Sequence, residues 1–428
     1  MPVARPSNWE EEILTVGLSD RARRAGAVYT GPGSGSDVPQ VLRPPIAFTG
    51  GIPDPVCLPI DDLVTATEQV LREEGAVALQ YGGAQGFRGL REWLADHWSK
   101  LDRMPLTAEN YAITNGSAHA LENVCETFLN PGETVIVEGP SFPGSIRAIR
   151  SLGPAVVSVP VDADGLSVDA LEERLADLDR QGARVKMLYT IPNYHNPTGS
   201  TLTLERRHRL LDLCERHDVL VVEDEAYGEI SFEEAPPQSL YSLANGRGVI
   251  KIGTFSKILA TGLRVGWCQA SQPVIDALLA TRFDMGISPF VIRTIARYAA
   301  GGRLDDHIAD IRTLYRRKRD IMLNELRERC SSLATWSEPA GGFFLWLKLA
   351  DRVDPLAMMA AAQEEGVAYV GGRSFFADLT AGDGPRRGWG PGGDSAHVRL
   401  AFSYVEEDQI AEGVRRLGRA MARAAKPA

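Results

Sequence analysis

The chain has 428 residues, of which 44% are hydrophobic and 24% charged, a composition typical of a globular protein with two or three domains. Its 46 basic and 56 acidic side chains give a net charge of −10, which argues against a general nucleic-acid binder because such proteins need a basic surface. No run approaches the roughly 18 consecutive apolar residues of a membrane helix. Residues 10–12 are glutamates, where a secretory signal would be apolar.

The cysteine and histidine patterns bear on metals and on the cellular compartment. Five cysteines lie far apart without a CxxC pair, and seven histidines are scattered without an HExxH motif. We therefore expect no metal site and no disulfide framework, and we expect a reducing, cytoplasmic location.

In chain order, a glycine-rich stretch at Thr30–Ser36 predicts a loop, and regular elements follow from residue 108 onward. Short β-branched runs there alternate with helical patterns. The predicted strands are Tyr111–Thr114, Thr134–Val137, Val185–Tyr189, Val219–Val222 and Val249–Ile252. This alternation predicts an α/β fold with a mostly parallel, doubly wound sheet. Ligands bind such sheets beyond the carboxyl ends of the strands.

After Arg303 the pattern changes to a long charged helix, followed by strand-like runs at Gly342–Leu347 and His397–Phe402. We interpret this part as a smaller α+β domain, with Ala381–Ser395 as a surface loop. The predicted organisation is an N-terminal arm and segment joining the small domain (residues 1–60), a large domain (61–302) and a small C-terminal domain (303–428).

Two motifs after predicted strands suggest chemistry. Lys257 stands in Gly-Thr-Phe-Ser-Lys, with Arg264 seven residues later, and an amine between hydroxyls and a cation suits a Schiff base beside a phosphate. Asp224 ends a buried strand, where a carboxylate can keep a heterocyclic nitrogen protonated, and Tyr227 follows within reach of a ring hydroxyl. Taken alone, Lys257 also fits a surface lysine, Asp224 a helix cap and Tyr227 core packing.

Two further motifs suggest ligand contacts. Asn196 precedes a proline and is therefore held extended with its amide projecting, although a simple loop turn has the same pattern. Ser117 and Ala118 open a predicted helix whose N-terminal N–H groups suit an anion. Phe142 follows the next strand and could stack on a planar ring or belong to the core.

Together, these motifs resemble the pyridoxal-phosphate-dependent aminotransferases of class I/II, which have the aspartate aminotransferase fold (fold type I). The order and spacing of the Asn-Pro-Thr-Gly, Asp-Glu-Ala-Tyr and Ser-Lys segments carry the resemblance, which covers nearly the whole chain. It implies a pyridoxal 5'-phosphate cofactor on Lys257, with Asp224 at the pyridine nitrogen. It also implies ring contacts from Tyr227, Asn196 and Phe142 and phosphate contacts from Ser117, Ala118, Ser256 and Arg264.

The chain is most similar to the 2-aminoadipate/kynurenine aminotransferase branch. Residues 46–55 resemble its GGxPDP segment, which implies a substrate contact at Gly51, and residues 398–403 resemble the segment whose arginine, here Arg399, grips the α-carboxylate together with Asn196. Tyr81 lies in a segment whose tyrosine reaches the partner subunit's phosphate, and Gly286–Phe290 resembles another interface loop. The resemblance therefore implies a homodimer.

The implied activity is transfer of an amino group between an amino acid and a 2-oxo acid. Elimination or replacement, decarboxylation and carbon–carbon bond formation occur on the same scaffold and stay open, because the cofactor residues do not separate them. Departures from the branch pattern include Ala401 and Thr261, and several of the departures border the substrate pocket. For the substrate side chain, Arg21, Arg23 and Arg24 are candidates, and an inward-facing arginine would favour acidic substrates.

Overall fold

The computed structural model describes residues 19–25, 45–377 and 396–426. The predicted loops at residues 30–36 and 381–395 lie outside this part of the chain. The described α-helices are α1 Asp20–Ala25, α2 Ile60–Ala78, α3 Arg88–Leu101, α4 Gly116–Phe128, α5 Pro143–Ser151, α6 Val168–Arg180, α7 Leu204–Arg216, α8 Leu240–Leu243, α9 Gln272–Ala280, α10 Pro289–Ala299, α11 Arg303–Cys330, α12 Pro355–Glu365 and α13 Glu407–Ala424.

The strands form three sheets. Their bounds are β1 Ile46–Ala47, β2 Tyr111–Thr114, β3 Thr134–Gly139, β4 Ala155–Asp162, β5 Gly165–Leu166, β6 Val185–Thr190, β7 Leu220–Glu225, β8 Val249–Thr254, β9 Gly266–Gln269, β10 Ala334–Trp336, β11 Phe344–Leu349, β12 Val367–Ala368, β13 Val370–Gly371 and β14 His397–Ala401. The large sheet has the order β2-β9-β8-β7-β6-β3-β4-β5, a four-stranded sheet has the order β10-β11-β14-β13, and β1 pairs with β12.

The predicted mostly parallel sheet is confirmed. Strands β8, β7, β6, β3 and β4 pair in parallel, whereas β9 and β5 run antiparallel to their neighbours. Successive residues of β3 pack into two separate apolar clusters, Val135 and Val137 into one and Ile136 into the other. This alternation buries both faces of the sheet, as expected for a doubly wound fold.

Two predicted strands end too early, at the point where the sequence becomes polar. Strand β7 extends to Glu225 and β8 to Thr254, and Glu225 still pairs with Gly253 in the ladder. Polar residues there keep strand geometry because the neighbouring strands satisfy their backbone groups. Strands β4, β5 and β9 of the large sheet were not predicted, and β9 lies between β2 and β8 and runs antiparallel to both.

Helices α6, α7, α8 and α12 begin at a residue whose side chain caps the helix. The side chain of Asp354 accepts hydrogen bonds from the N–H groups of Leu356 and Ala357 at 2.9 Å at the start of α12. The predicted long charged helix is α11, whose Lys318 is buried against Asp54 and the carbonyl of Ser403. These contacts hold Asp54 against α11 and against the segment that follows β14 of the four-stranded sheet, three residues after Gly51.

Candidate active site

A cavity of about 850 Å³ opens at the carboxyl ends of the central strands. Its wall includes every residue that the motifs assigned to the cofactor or to the substrate, except Tyr81: Gly51, Ser117, Ala118, Phe142, Asn196, Asp224, Tyr227, Ser256, Lys257, Arg264 and Arg399. Of the three arginines considered for the substrate side chain, the wall includes Arg21 but not Arg23 or Arg24. The shared strand direction explains most of this convergence, because the loops after β2, β3, β6, β7 and β8 all leave the same edge of the large sheet. Gly51 follows β1, and Arg399 lies on β14 of the four-stranded sheet.

Lys257 provides a buried amine in this cavity. It follows β8, and its Nζ donates a hydrogen bond to the carbonyl oxygen of Gly51 at 2.8 Å. Burial and the positive charges of Arg399 and Arg264, opposed by the negative charge of Asp224, together lower the pKa of Lys257 to about 8. A substantial fraction of the amine is therefore neutral near physiological pH and able to attack a carbonyl carbon.

Asp224 provides a carboxylate at the floor of the cavity. Its Oδ2 accepts a hydrogen bond from the hydroxyl of Tyr189 at 2.6 Å, while Oδ1 is buried without a hydrogen-bond partner. Burial raises the pKa of Asp224 to about 6. Because a buried acceptor without a partner is costly, Oδ1 is suited to a donor on a bound ligand.

Arg399 closes another side of the cavity. Its guanidinium donates hydrogen bonds to Asn196 Oδ1 at 2.9 Å and to the carbonyl of Thr49 at 2.7 Å, and it lies 4.3 Å from the ring centroid of Phe344. Asn196 also interacts with the buried hydroxyl of Tyr227, whose pKa is raised by burial. The fork of Arg399 is thus held in a fixed orientation, which suits bidentate binding of a carboxylate.

The N-terminus of α4 and Arg264 form an anion cradle. Gly116, at φ +75°, starts the helix so close to Arg264 that an added Cβ would lie 2.7 Å from Nη2 of the guanidinium. Arg264 itself adopts a left-handed conformation at φ +54° and reaches Ser256 Oγ at 3.5 Å. Free helix N–H groups, a guanidinium and a hydroxyl together provide donors for a phosphate.

These features fit pyridoxal phosphate. The anion cradle suits the phosphate of this cofactor. The Oδ1 atom of Asp224 suits the ring nitrogen, and the amine of Lys257 suits the aldehyde carbon. Phe142, which is half-buried and directly precedes α5, lines the wall of the same cavity.

Among the residues that the structure describes, no group of three His, Cys, Asp or Glu side chains could hold a metal ion. No helix in the described part of the chain combines the length and apolarity that a membrane crossing requires.

The outer part of the cavity lies between α1, α4 and α5. Arg21 of α1 lines it, but its guanidinium pairs with Glu122 and with Glu126, the latter at 2.8 Å. Arg24 instead donates to the carbonyl of Ser151. The apolar members of this outer wall are Ala22, Leu121 and Ala148.

Sequence reasoning missed several residues of the site. Tyr189 ends a β-branched strand and therefore resembles core, and Ser145 carries no motif. The pairing of Glu122 and Glu126 with Arg21 joins positions about a hundred residues apart. Their i,i+4 spacing on α4 was the available signal, although it indicates only a shared helix face.

Comparisons with known proteins agree on one family. The family model "Aminotransferase class I and II" matches residues 52–417. The aromatic-amino-acid aminotransferase 1 of Thermococcus litoralis is 36% identical over 374 residues, which is 87% of each chain. The 2-aminoadipate transaminase of Thermus thermophilus is 35% identical over 380 residues, which is 88% of this chain and 90% of the relative.

Solved structures give the same result. The kynurenine aminotransferase of Pyrococcus horikoshii, in complex with PMP, superposes with a TM-score of 0.82 at 33% identity and covers 99% of this chain and 96% of its own. The α-aminoadipate aminotransferase of Thermus thermophilus, complexed with N-(5'-phosphopyridoxyl)-L-leucine, has a TM-score of 0.82 at 32% identity, with 97% and 98% of the two chains covered.

Proposed function

The chain belongs to the class I and II aminotransferases, and from this premise we propose that the cavity around Lys257 is its catalytic centre. The protein is a pyridoxal-phosphate-dependent aminotransferase that moves an amino group between an amino acid and a 2-oxo acid. The observation that carries the site assignment is the convergence of a buried amine, a carboxylate oxygen without a partner and an anion cradle on one cavity.

Each residue has a proposed role. The bound cofactor withdraws electrons from Cα of the substrate. Asp224 holds the ring nitrogen protonated, and Tyr227 and Asn196 contact the ring oxygen. Arg399 binds the α-carboxylate, which places Cα near Lys257, with Gly51 beside it. The amine of Lys257, whose pKa lies near 8, would take the proton from Cα as a general base and deliver it as a general acid to the carbon of the cofactor.

The remaining contacts position the cofactor. We assign the phosphate to Ser117, Ala118, Ser256 and Arg264, which surround the N-terminus of α4. Phe142 is assigned to the face of the ring. A fixed phosphate and a fixed ring nitrogen orient the plane of the cofactor, and this orientation decides which bond at Cα is weakened.

For the substrate side chain, we propose that the outer cavity accepts aromatic or long aliphatic groups in preference to acidic ones. Arg21 lines this region, but Glu122 and Glu126 neutralise its charge, and Ala22, Leu121 and Ala148 offer apolar contact. The named relatives act on aromatic amino acids, 2-aminoadipate and kynurenine, so both side-chain classes are reasonable to test.

The half-reaction tests the function and this selectivity together. We expect phenylalanine, leucine and kynurenine to convert the bound cofactor to its amine form, seen by absorbance, and a 2-oxo acid to restore it. Replacing Glu122→Gln and Glu126→Gln together frees Arg21 and should raise the preference for 2-aminoadipate over phenylalanine by roughly fivefold, as expected for about 1 kcal/mol of ion pairing.

A matched control exists on α3, where Arg88 pairs with Glu92 at 2.8 Å and Glu109 at 3.0 Å outside the cavity. Glu92→Gln with Glu109→Gln should leave the ratio unchanged. An unaltered ratio in the Glu122 and Glu126 variant would remove Arg21 from substrate recognition. If no amino acid reduces the absorbance of the aldehyde form, the assignment of the site is wrong.

We also propose that the active unit is a homodimer in which Tyr81 completes the partner's phosphate site. Tyr81 is 85% exposed, and the adjacent loop exposes Phe283 by 91% and Met285 by 63%. The two segments touch, because an added Cβ on Gly286 would lie 2.4 Å from the carbonyl oxygen of Gly83. Such a continuous apolar patch is typical of a subunit interface.

We expect scattering to give a dimer at assay concentrations. Phe283→Asp together with Met285→Asp should weaken the association at least about a hundredfold, because two apolar side chains that the dimer would bury are each worth about 1.5–3 kcal/mol. Leu356→Asp, on an exposed turn of α12, is the matched control and should not change the mass. A fully active monomer would contradict the proposal.

The proposed organisation and location follow the same sequence-based expectations. Residues 1–60, 61–302 and 303–428 are proposed as N-terminal arm, large domain and small domain, which the separate eight-stranded and four-stranded sheets and the β1–β12 pairing support. Limited proteolysis near residues 60 and 302 tests these boundaries. Five free cysteines support a reducing, cytoplasmic location, which cell fractionation tests.

A further inference from the structure

Two hydroxyl groups, from Ser145 and Tyr189, form consecutive hydrogen bonds that end at Asp224. Ser145 Oγ lies 2.8 Å from Tyr189 Oη, which lies 2.6 Å from Asp224 Oδ2. The three residues come from α5, β6 and β7, and each is at least nine-tenths buried. The carboxylate is thus held by elements other than its own strand.

The direction of these bonds follows from counting protons. A phenol has one proton, and Tyr189 donates it to Asp224, so Ser145 must donate its own proton to Tyr189. Each donation polarises the next hydroxyl and strengthens the bond that follows. Burial and the charge of Asp224 raise the pKa of Tyr189 well above its ordinary value, so the phenol keeps its proton throughout the neutral range.

These hydrogen bonds also give the two carboxylate oxygens of Asp224 different roles. Oδ2 is occupied by Tyr189, whereas Oδ1 has no partner and belongs to a residue that lines the cavity. Rotation of the carboxyl group would break a short charge-assisted bond. The arrangement therefore presents one fixed oxygen to a ligand.

We propose that Tyr189, backed by Ser145, is a positioning residue that keeps Asp224 ionised with Oδ1 directed at the ring nitrogen of the cofactor. The inference rests on the proposed role of Asp224. It assigns to this site a second layer of two hydroxyls, which neither the motifs nor the similarity to relatives indicated.

The charges around Asp224 explain why such support is needed. Burial raises the pKa of Asp224 above its ordinary value; the hydrogen bond from Tyr189 lowers it, the buried carboxylate of Glu138 raises it and the amine of Lys257 lowers it. Without the phenol, protonation of Asp224 moves to higher pH. The carboxyl group that should accept the hydrogen bond from the ring N–H then becomes neutral within the neutral pH range.

The decisive variant is Tyr189→Phe, with Tyr111→Phe as its control. Tyr111 is fully buried in the same sheet, and its hydroxyl has no hydrogen-bond partner, so both changes remove one buried phenolic oxygen. The probe is pyridoxamine phosphate, which carries an amine instead of the aldehyde and forms no covalent bond with Lys257. Its dissociation constant is measured with the full chain after removal of the cofactor, across pH 5 to 8.

We expect Tyr189→Phe to weaken binding at least about tenfold at neutral pH, the loss of one hydrogen bond to a charged group. The acid limb of binding should move to higher pH, while Tyr111→Phe should match the unmodified protein. Ser145→Ala should weaken binding a few-fold in the same direction, with Ser158→Ala, a buried serine whose Oγ has no partner, as control. Melting temperatures verify folding, and Ser145→Ala decides the matter if Tyr189→Phe does not fold.

Equal dissociation constants and equal acid limbs for Tyr189→Phe and Tyr111→Phe would overturn the inference. That failure differs from a failure of the proposed function. If the unmodified protein transaminates and Asp224→Asn impairs this activity while Tyr189→Phe does not, only the positioning role of Tyr189 and Ser145 is wrong. If Asp224→Asn is also silent, the assignment of Asp224 itself is wrong.

Discussion

Replacement of Lys257 by alanine should abolish turnover while leaving the fold intact. The amine makes one hydrogen bond, to the carbonyl of Gly51 at 2.8 Å, and lies in a cavity rather than in the packed core. Removing it deletes both the covalent attachment point and the general base, so we expect a loss of at least about 10⁴-fold in kcat. Steady-state kinetics and the loss of the aldehyde-form absorbance measure the two effects.

The lysines elsewhere provide the contrast. Lys251 lies on β8, the strand that leads to Lys257, but it is fully buried. Its Nζ pairs with Asp102 Oδ2 at 3.0 Å and lies 3.4 Å from the ring centroid of Trp98. The amine of Lys251 is therefore held in the core by this ion pair and does not line the cavity. Lys186→Ala serves as the control and should keep the activity. If borohydride reduction and peptide mapping place the cofactor on Lys251 or Lys186, the whole site assignment fails.

Much of the site could be predicted because the motifs lie at strand ends. In a doubly wound sheet the carboxyl ends of parallel strands meet at one edge, so Asn196, Asp224 and Lys257 had to converge once their strands were recognised. The spacing between the motifs added the identity of the ligand through the resemblance. The chemistry was therefore encoded locally, in short segments around each residue.

Contacts between elements distant in sequence could not be predicted. The bond from Tyr189 to Asp224 depends on the register of β6 against β7, where Tyr189 pairs with Val222, and a one-residue slip would point the phenol to the other face. The pairing of Arg21 with Glu122 depends on how α1 lies against α4 and α5. Tyr81 does not line the cavity of its own chain, and its proposed role needs a second copy.

The three consecutive carboxylates of β7 illustrate both limits. The sequence places Glu223, Asp224 and Glu225 together, but strand alternation sends their side chains to different surroundings. Glu223 accepts hydrogen bonds from the N–H groups of Leu240 and Tyr241, both at 2.9 Å, and so fixes α8. Glu225 accepts one from Asn193 at 2.7 Å. Asp224 alone of the three lines the described cavity.

Asp224→Asn should therefore retain the cofactor but lose most activity. A neutral amide fills the same space and can still touch the ring nitrogen, but it cannot hold the proton that makes the ring an electron sink. We expect a loss of roughly 10²–10³-fold in kcat, the scale found when one electrostatic partner is removed from an active site. Single-turnover absorbance measurements isolate the proton-transfer step from product release.

Glu225→Gln is a matched control, because it makes the same chemical change one residue away. Burial raises the pKa of Glu225 to about 7, so its carboxyl is already partly neutral at physiological pH, and the glutamine oxygen can still accept from Asn193. Activity close to that of the unmodified enzyme is expected for Glu225→Gln. If Asp224→Asn also shows near-normal turnover, the proton on the ring nitrogen is held by another group, and the electron-sink role does not belong to Asp224.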